Sequence, residues 1–326
     1  MKTNPKMGVA MVLMAATLWG TTGTAQTFVS NGLSAGWFGA LRLAVASAFF
    51  AVYASAERYW HQDHTLDARL PHVGVIGAGL CMAVYNLAFF AGIRHTGIAV
   101  GTAVALGSGP LWAGIVQSLV ARQVPATSWW AGTGIGVFGG VLMTVANGRT
   151  SGDWSAVGIL LCLLSGLAYA GYTLISKGLI RNASAAGVTR SSFTVAAIVA
   201  VPAAWLEGGR PIWQPADAWA VAYVGVITAG ISYLLFSHAL RHVSAATGVT
   251  LALGEPVMAF VLAILVAGER PALAAFGGLL LVIGGVLIVV RAELRANATP
   301  SAAAYRTRNQ ERRTGQRIGE RRQSNP

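Results

Sequence analysis

Gly248–Pro271 reads GVTLALGEPVMAFVLAILVAGERP. The stretch has the length of one membrane crossing, roughly 20 apolar residues. Yet it holds a carboxylate, Glu255, followed directly by Pro256. A charge at the bilayer centre costs about 2.5–3.5 kcal/mol on insertion scales, and a proline removes a backbone hydrogen bond and kinks a helix. Upstream lies a twin, TAVALGSGPLWAGIVQSLVARQVP at Thr102–Pro125, in which Pro110 answers Pro256 and Pro125 answers Pro271 across the same gap. Arg94-His95 and Arg241-His242 precede the two stretches at nearly the same distance. The chain therefore reads as two copies of one unit, each with an interrupted helix.

Composition fixes the medium. Of 326 residues, 10% are charged and 55% hydrophobic, whereas soluble domains are about a quarter charged. Apolar runs recur along the whole length, so this is a polytopic all-α membrane protein. The net charge of +12 is concentrated: nine of the 23 basic residues lie from Arg291 onward. Such a cluster can bind the phosphates of nucleic acid, but the positive-inside rule favours a disordered cytoplasmic tail near anionic lipid, over 291–326. No nucleic-acid partner is expected. Cys81 and Cys162 both fall inside apolar runs without metal spacing and read as small apolar fillers. The start, MKTNPKMGVAMVLMAATLWG, has the build of a signal peptide, but further spans follow and it reads as an uncleaved first span.

Ten transmembrane helices are expected: Met7–Val29, Trp37–Ala56, Val73–Ile93, Ile98–Ala121, Ser128–Asn147, Ala156–Ser176, Ser191–Leu206, Ala218–Leu240, Ala245–Ala267 and Ala272–Val290. They divide into a first repeat over 7–147 and a second over 156–290. With the N-terminus in the cytoplasm, nine basic residues before the tail fall inside and four outside, which places both termini in the cytoplasm. Five crossings per copy make the second copy enter from the opposite face, so the repeats are inverted. Inverted repeats with broken helices at matching positions are a mark of secondary transporters, with the site near the midplane between the halves.

Five features, taken in order, carry a family resemblance: Leu18-Trp19-Gly20, Leu41-Arg42-Leu43, the Pro110 helix, Glu255-Pro256, and Gly268-Glu269-Arg270. Over residues 7–291 the chain resembles the EamA family of the drug/metabolite transporter (DMT) superfamily. The first copy departs from the pattern: Ser108-Gly109-Pro110 lacks the acid, and Arg122-Gln123 stands where Gly-Glu is usual. The run Trp19–Gln26 is similar to the branch of YddG-like amino-acid exporters. The resemblance implies a ten-helix inner-membrane carrier that exports small metabolites, often amino acids, by alternating access.

Glu255 is the first candidate for a substrate-amine or proton site, against a structural acid satisfying backbone groups freed by Pro256. Arg42 pairs with Glu255, meets a substrate carboxylate, or snorkels. Trp19, Thr22 and Gln26 recur on one helix face, with Ser108 and Trp112 beside the Pro110 hinge. Tyr85, Asn86 and Phe89 in span three, Tyr169 and Tyr172 in span six, and Tyr233 and His238 in span eight are candidate cavity walls, against plain packing. Pro110 and Pro256 are the candidate hinges. The glycine runs GTGIGVFGG and GGLLLVIGG sit inside apolar spans and lack the Lys-Ser/Thr of a phosphate loop. Neither an enzyme nor a cofactor or metal is expected. The partners are lipid, a small-molecule substrate and, with antiport, protons. A multidrug or cation carrier, a nucleotide-sugar carrier, and a non-transporting scaffold using the basic tail are the alternatives.

Overall fold

The computed structural model describes residues 4–26, 28–29, 32–61, 70–147, 155–266, 268 and 271–298. Among them every regular element is helical. The first half holds α1 (Pro5–Gln26), α2 (Ala35–His61), α3 (His72–Thr96), α4 (Ile98–Val120) and α5 (Thr127–Asn147). The second holds α6 (Ala156–Ile180), α7 (Ala185–Gly208), α8 (Pro215–Tyr223), a π-helical segment (Val224–Ile231), α9 (Ser232–Ala239), α10 (Ala245–Leu251), α11 (Gly254–Leu265) and α12 (Leu273–Ala298). The segment joins α8 to α9 in one crossing and α10 pairs with α11 in another, so ten stretches are long and apolar enough to span a membrane. Leu160, Ile198, Leu206, Leu273 and Leu280 stand exposed, an apolar surface that suits lipid and not water.

The halves interleave. α5 crosses α12 almost backbone to backbone: a Cβ built on Gly285 would lie 2.5 Å from the Gly132 carbonyl oxygen, and one on Gly139 2.6 Å from that of Gly278. α3 meets α6 at Gly92, against Cys162, and meets α7 at Gly79, against Val195. α1 meets α11 at Gly20, where a Cβ would fall 2.6 Å from that of Met258. Lipid tails are as apolar as leucine, so helices in a bilayer associate through such close packing. Each contact joins one repeat to the other.

Several boundaries differ from the sequence expectation, and one expected break is absent among the described residues. α7 begins at Ala185, ahead of the expected Ser191, because the Ser184 hydroxyl accepts a hydrogen bond from the Gly187 amide at 3.0 Å and caps the helix. α12 continues past Val290 to Ala298. Buried Glu293 holds that extension, accepting from the Ser244 amide at 3.0 Å and the Thr247 hydroxyl at 2.5 Å. Residues 299–326 of the expected tail lie outside the described residues, as do Glu269 and Arg270 of the last motif. Finally, an interrupted helix was expected in each repeat, but among the described residues only the second shows one. α4 runs continuously through Pro110, whereas α10 ends at Leu251 and α11 starts at Gly254. The Leu253 and Glu255 amides bond the Thr250 and Ala252 carbonyls at 3.0 and 2.8 Å, closing tight turns. Gly254 packs 3.3 Å (as an added Cβ) from Ala16 of α1. Pro256 then falls in the first turn of α11, where its missing N–H costs no helical bond.

Candidate functional site

Aromatic rings from both repeats meet where α1, α3, α6, α7 and α9 converge. The Trp19 ring lies 5.0 Å from Tyr233, 5.4 Å from Phe236 and 6.5 Å from Tyr169, the last edge-on at 85°. Tyr85 lies 5.2 Å from Tyr169 and stacks with Phe89 at 6.5 Å. Tyr172 and Phe193 extend the cluster behind Tyr233, at 5.9 and 4.9 Å. Trp19, Tyr169, Tyr172 and Tyr233 are all buried. The tilted and edge-on geometries are those that aromatic quadrupoles prefer.

Two opposite charges face this cluster. Glu255 stands in the first turn of α11, where the helix dipole favours an anion. Arg42 stands on α2, half-buried. Their charges act on each other and both act on Tyr85 and Tyr233. Among the described residues the two make no direct ion pair. The arrangement is thus two opposite charges beside one ring cluster, Arg42 from the first repeat and Glu255 from the second.

Not every expected wall residue joins the cluster. Gln26 ends α1 and is exposed: the helix stops one turn beyond Thr22. Asn86 is buried, but its Oδ1 lies against Gly39 of α2, a helix–helix contact. Ser108 donates to the Ala105 carbonyl at 3.3 Å and packs on Gly166. Trp112 packs on the core with its indole nitrogen buried and without a partner. The His238 ring bonds the Leu234 carbonyl one turn back on its own helix at 2.8 Å. Glu255, Arg42, Trp19, Tyr85, Phe89, Tyr169, Tyr172 and Tyr233 are brought together, with Thr22 next to them on the face of α1. Beside Pro256, a crevice of about 30 Å3 opens between α4 and α5, lined by Leu106, Gly107, Val137, Thr144 and Leu253. That is room for a water or two, with Pro256 itself in its wall.

The π-helical segment carried no sequence signal. It is packed tightly on α2: Gly225 meets Val45 and Gly230 meets Phe49. The Ser232 amide reaches back to the Ile227 carbonyl, five residues away. π-bulges are rare and cluster at functional sites, and this one sets the direction in which Tyr233 and Phe236 enter the cluster. Tyr223, just before it, donates to Thr21 of α1 at 2.9 Å.

The end of the bundle where α1 begins is closed by polar contacts around the turn 240–247. Lys177 Nζ donates to the Leu240 and Val243 carbonyls at 2.7 and 2.6 Å. Gln117 Oε1 accepts from the Ala246 amide at 3.0 Å, and His242 Nδ1 accepts from the Asn4 amide at 3.2 Å. Burial, then the positive charges of Arg241 and Lys177 and the neighbouring His238, lower the His242 pKa below the ordinary imidazole value. At the opposite end Arg94 of α3 pairs with Glu207 of α7, and Trp37 Nε1 donates to the Gly209 carbonyl at 2.9 Å. Both ends are tied across the repeats, and the ring cluster lies closed between them.

The profile of the EamA-like transporter family matches residues 6–145 and again 156–291. The uncharacterized transporter YwfM of Bacillus subtilis (strain 168) is 34% identical over 294 residues, covering 90% of this chain and 96% of its own length. A second uncharacterized transporter of that organism, YxxF, is 32% identical over 164 residues, about half of each chain. A crystal structure of a protein with 18% identity superposes with a TM-score of 0.74 over 89% of this chain and 98% of its own, a likeness of fold alone. With two matched copies and ten membrane-length helices, the chain belongs to the EamA-like transporter family: it is a multi-pass membrane transporter, of the inner membrane in bacteria, and not an enzyme.

Proposed function

We propose that this transporter exports amino acids with apolar or aromatic side chains, by alternating access at the ring cluster. The observation that carries the reading is the pair of opposed, unbonded charges, Arg42 and Glu255, set about a shared aromatic cluster. A zwitterion with an apolar body fits that pattern: its ammonium is drawn to Glu255, its ring or chain lies on the aromatic faces, and Arg42 balances the field. A lipophilic cation would satisfy Glu255 but would gain nothing from Arg42, so cation efflux ranks second. Tight packing of α1 on α11 and the break at Ala252-Leu253 support a mechanism in which α10 and α11 rock about the Pro256 hinge while the contacts at one end part. A proton on Glu255 would couple export to a pH gradient by antiport. The basic tail takes no part in this reading.

The test is flux into proteoliposomes of the purified full chain. A labelled panel of Phe, Trp, Met, Thr and one lipophilic cation is measured with and without a pH gradient. Saturable amino-acid flux, competed by the other amino acids, is expected. Cation flux alone would move the assignment to multidrug efflux. Absence of all flux from folded protein would favour a non-transporting role.

A further inference from the structure

Four polar atoms in and beside the ring cluster are buried without any hydrogen-bond partner: Trp19 Nε1, Tyr169 OH, Thr22 Oγ1 and Tyr172 OH. Tyr172 lies behind Tyr233, and the other three gather about the contact of Trp19 with Tyr169. Buried polar groups are nearly always paired, and each exception calls for an explanation. Trp19 is 4% exposed and Tyr169 8% exposed, so bulk water is excluded from their side chains. The two rings meet edge-on at 6.5 Å. Thr22 follows Trp19 by three residues on the same face of α1, which places its hydroxyl one turn along. An indole N–H donates and cannot accept, whereas the two hydroxyls can do either. The missing partner must therefore present acceptors. An ammonium group has none.

We propose that Trp19 and Tyr169, with Thr22 beside them, receive the carboxylate of the substrate through uncharged donors. The inference rests on the amino-acid reading above and assigns the second end of the zwitterion. A carboxylate has two oxygens with about four lone-pair sites, enough for all three donors at once, and hydrogen bonds to an ionised acceptor are roughly twice as strong as neutral ones. The direct contact falls to these groups because the Trp19 and Tyr169 rings meet edge-on, both are buried, and the indole N–H can only donate. Glu255 lies near enough for its charge to act on Tyr169, and the adjoining ammonium of the same zwitterion is assigned to it. The carboxylate and amine of an α-amino acid are held on one carbon, so the two subsites must be neighbours. The rule that follows is selective: the protein requires a free carboxylate and rejects the ester and the bare amine of the same side chain.

The experiment measures inhibition of labelled phenylalanine flux in proteoliposomes by three unlabelled competitors: phenylalanine, its methyl ester and phenethylamine. In the unaltered protein the ester and the amine should inhibit at least about tenfold more weakly than the acid, the loss of a hydrogen bond to a charged group. Tyr169→Phe keeps the ring and removes one donor; Trp19→Phe removes the indole donor. Each should weaken inhibition by the acid about tenfold and leave the ester and amine unchanged, so that discrimination collapses. Tyr169→Phe serves as the conservative variant should Trp19→Phe fail to fold. Equal inhibition by acid and ester in the unaltered protein would overturn the carboxylate site while leaving amino-acid export standing. Undiminished discrimination in a folded Tyr169→Phe or Trp19→Phe protein would overturn it as well. Absence of phenylalanine flux in the unaltered protein would overturn the export reading, and this inference with it.

Discussion

Adjacent glycines on α12 differ completely in what surrounds them, and this gives a sharp test of the packing. A Cβ added to Gly285 would lie 2.5 Å from the Gly132 carbonyl oxygen, 2.5 Å from the Gly136 amide nitrogen and 2.7 Å from the Gly136 Cα. All three are backbone atoms of α5, so no side chain can rotate away. The helices must move apart by about an ångström, which loses contacts along the whole crossing. Overpacking of this kind costs about 1–3 kcal/mol. Gly284, one residue earlier, has nothing within 4 Å of the same added atom. There the substitution only removes glycine's helix penalty, a gain of up to about 1 kcal/mol. The neighbours should therefore differ by roughly 2–4 kcal/mol in opposite directions. The assay is unfolding of the purified protein in detergent, with wild type, Gly284→Ala and Gly285→Ala run in parallel. Gly278→Ala and Gly277→Ala form a second pair with the same contrast, since Gly278 faces Met143 and the Gly139 carbonyl while Gly277 faces open space. Equal stability of Gly284→Ala and Gly285→Ala would refute the backbone-to-backbone crossing of α5 and α12.

Lys177→Met should destabilise the fold by about 1–3 kcal/mol, because the Leu240 and Val243 carbonyls lose their donor inside the turn; unfolding in detergent reads it. His242 has a folded pKa below its unfolded value of about 6.5. Stability is therefore full above pH about 6.5 and falls as pH drops toward the folded pKa, where the unfolded chain binds the proton first; His242→Asn should flatten that part of the pH–stability curve. Pro256→Ala restores an amide at the break and should slow transport more than Pro110→Ala, which sits in a continuous helix; initial rates of flux at matched protein levels decide. Arg94→Gln should weaken the tie between α3 and α7 and raise labelling of a cysteine placed near that end, without lowering thermal stability by more than about 1 kcal/mol, since the pair is partly exposed.

The ten crossings were readable because lipid imposes apolar runs of fixed length, and the duplication because prolines recur at fixed gaps. The rings that meet in the cluster, Tyr85, Tyr169 and Tyr233, were legible as aromatics of the third, sixth and eighth spans. What escaped has a common cause: it depends on neighbours and not on residue type. VGVITAGI is apolar but for Thr228, and nothing in it marks a π-helical register; that register accompanies the packing of Gly225 and Gly230 on Val45 and Phe49. Pro110 and Pro256 look equivalent in sequence, but only Pro256 follows a turn whose Gly254 is pressed against α1. Asn86 has the composition of a site residue and is instead set against Gly39. Glu293 resembles a tail acid and is buried as an anchor for Ser244 and Thr247. Gln26 lies on the predicted face, but α1 ends there.

The central claim is that the opposed charges and the rings beside them bind a zwitterion on its way across the membrane. Counterflow of labelled phenylalanine in proteoliposomes tests it most directly, comparing the unaltered protein with Glu255→Gln and Arg42→Gln. The account predicts saturable counterflow in the unaltered protein, a loss of at least about tenfold in apparent affinity in Glu255→Gln, the worth of one charged contact, and a smaller loss in Arg42→Gln, whose charge balances the field without touching the substrate. Folded variants that carry phenylalanine with unchanged affinity would contradict it.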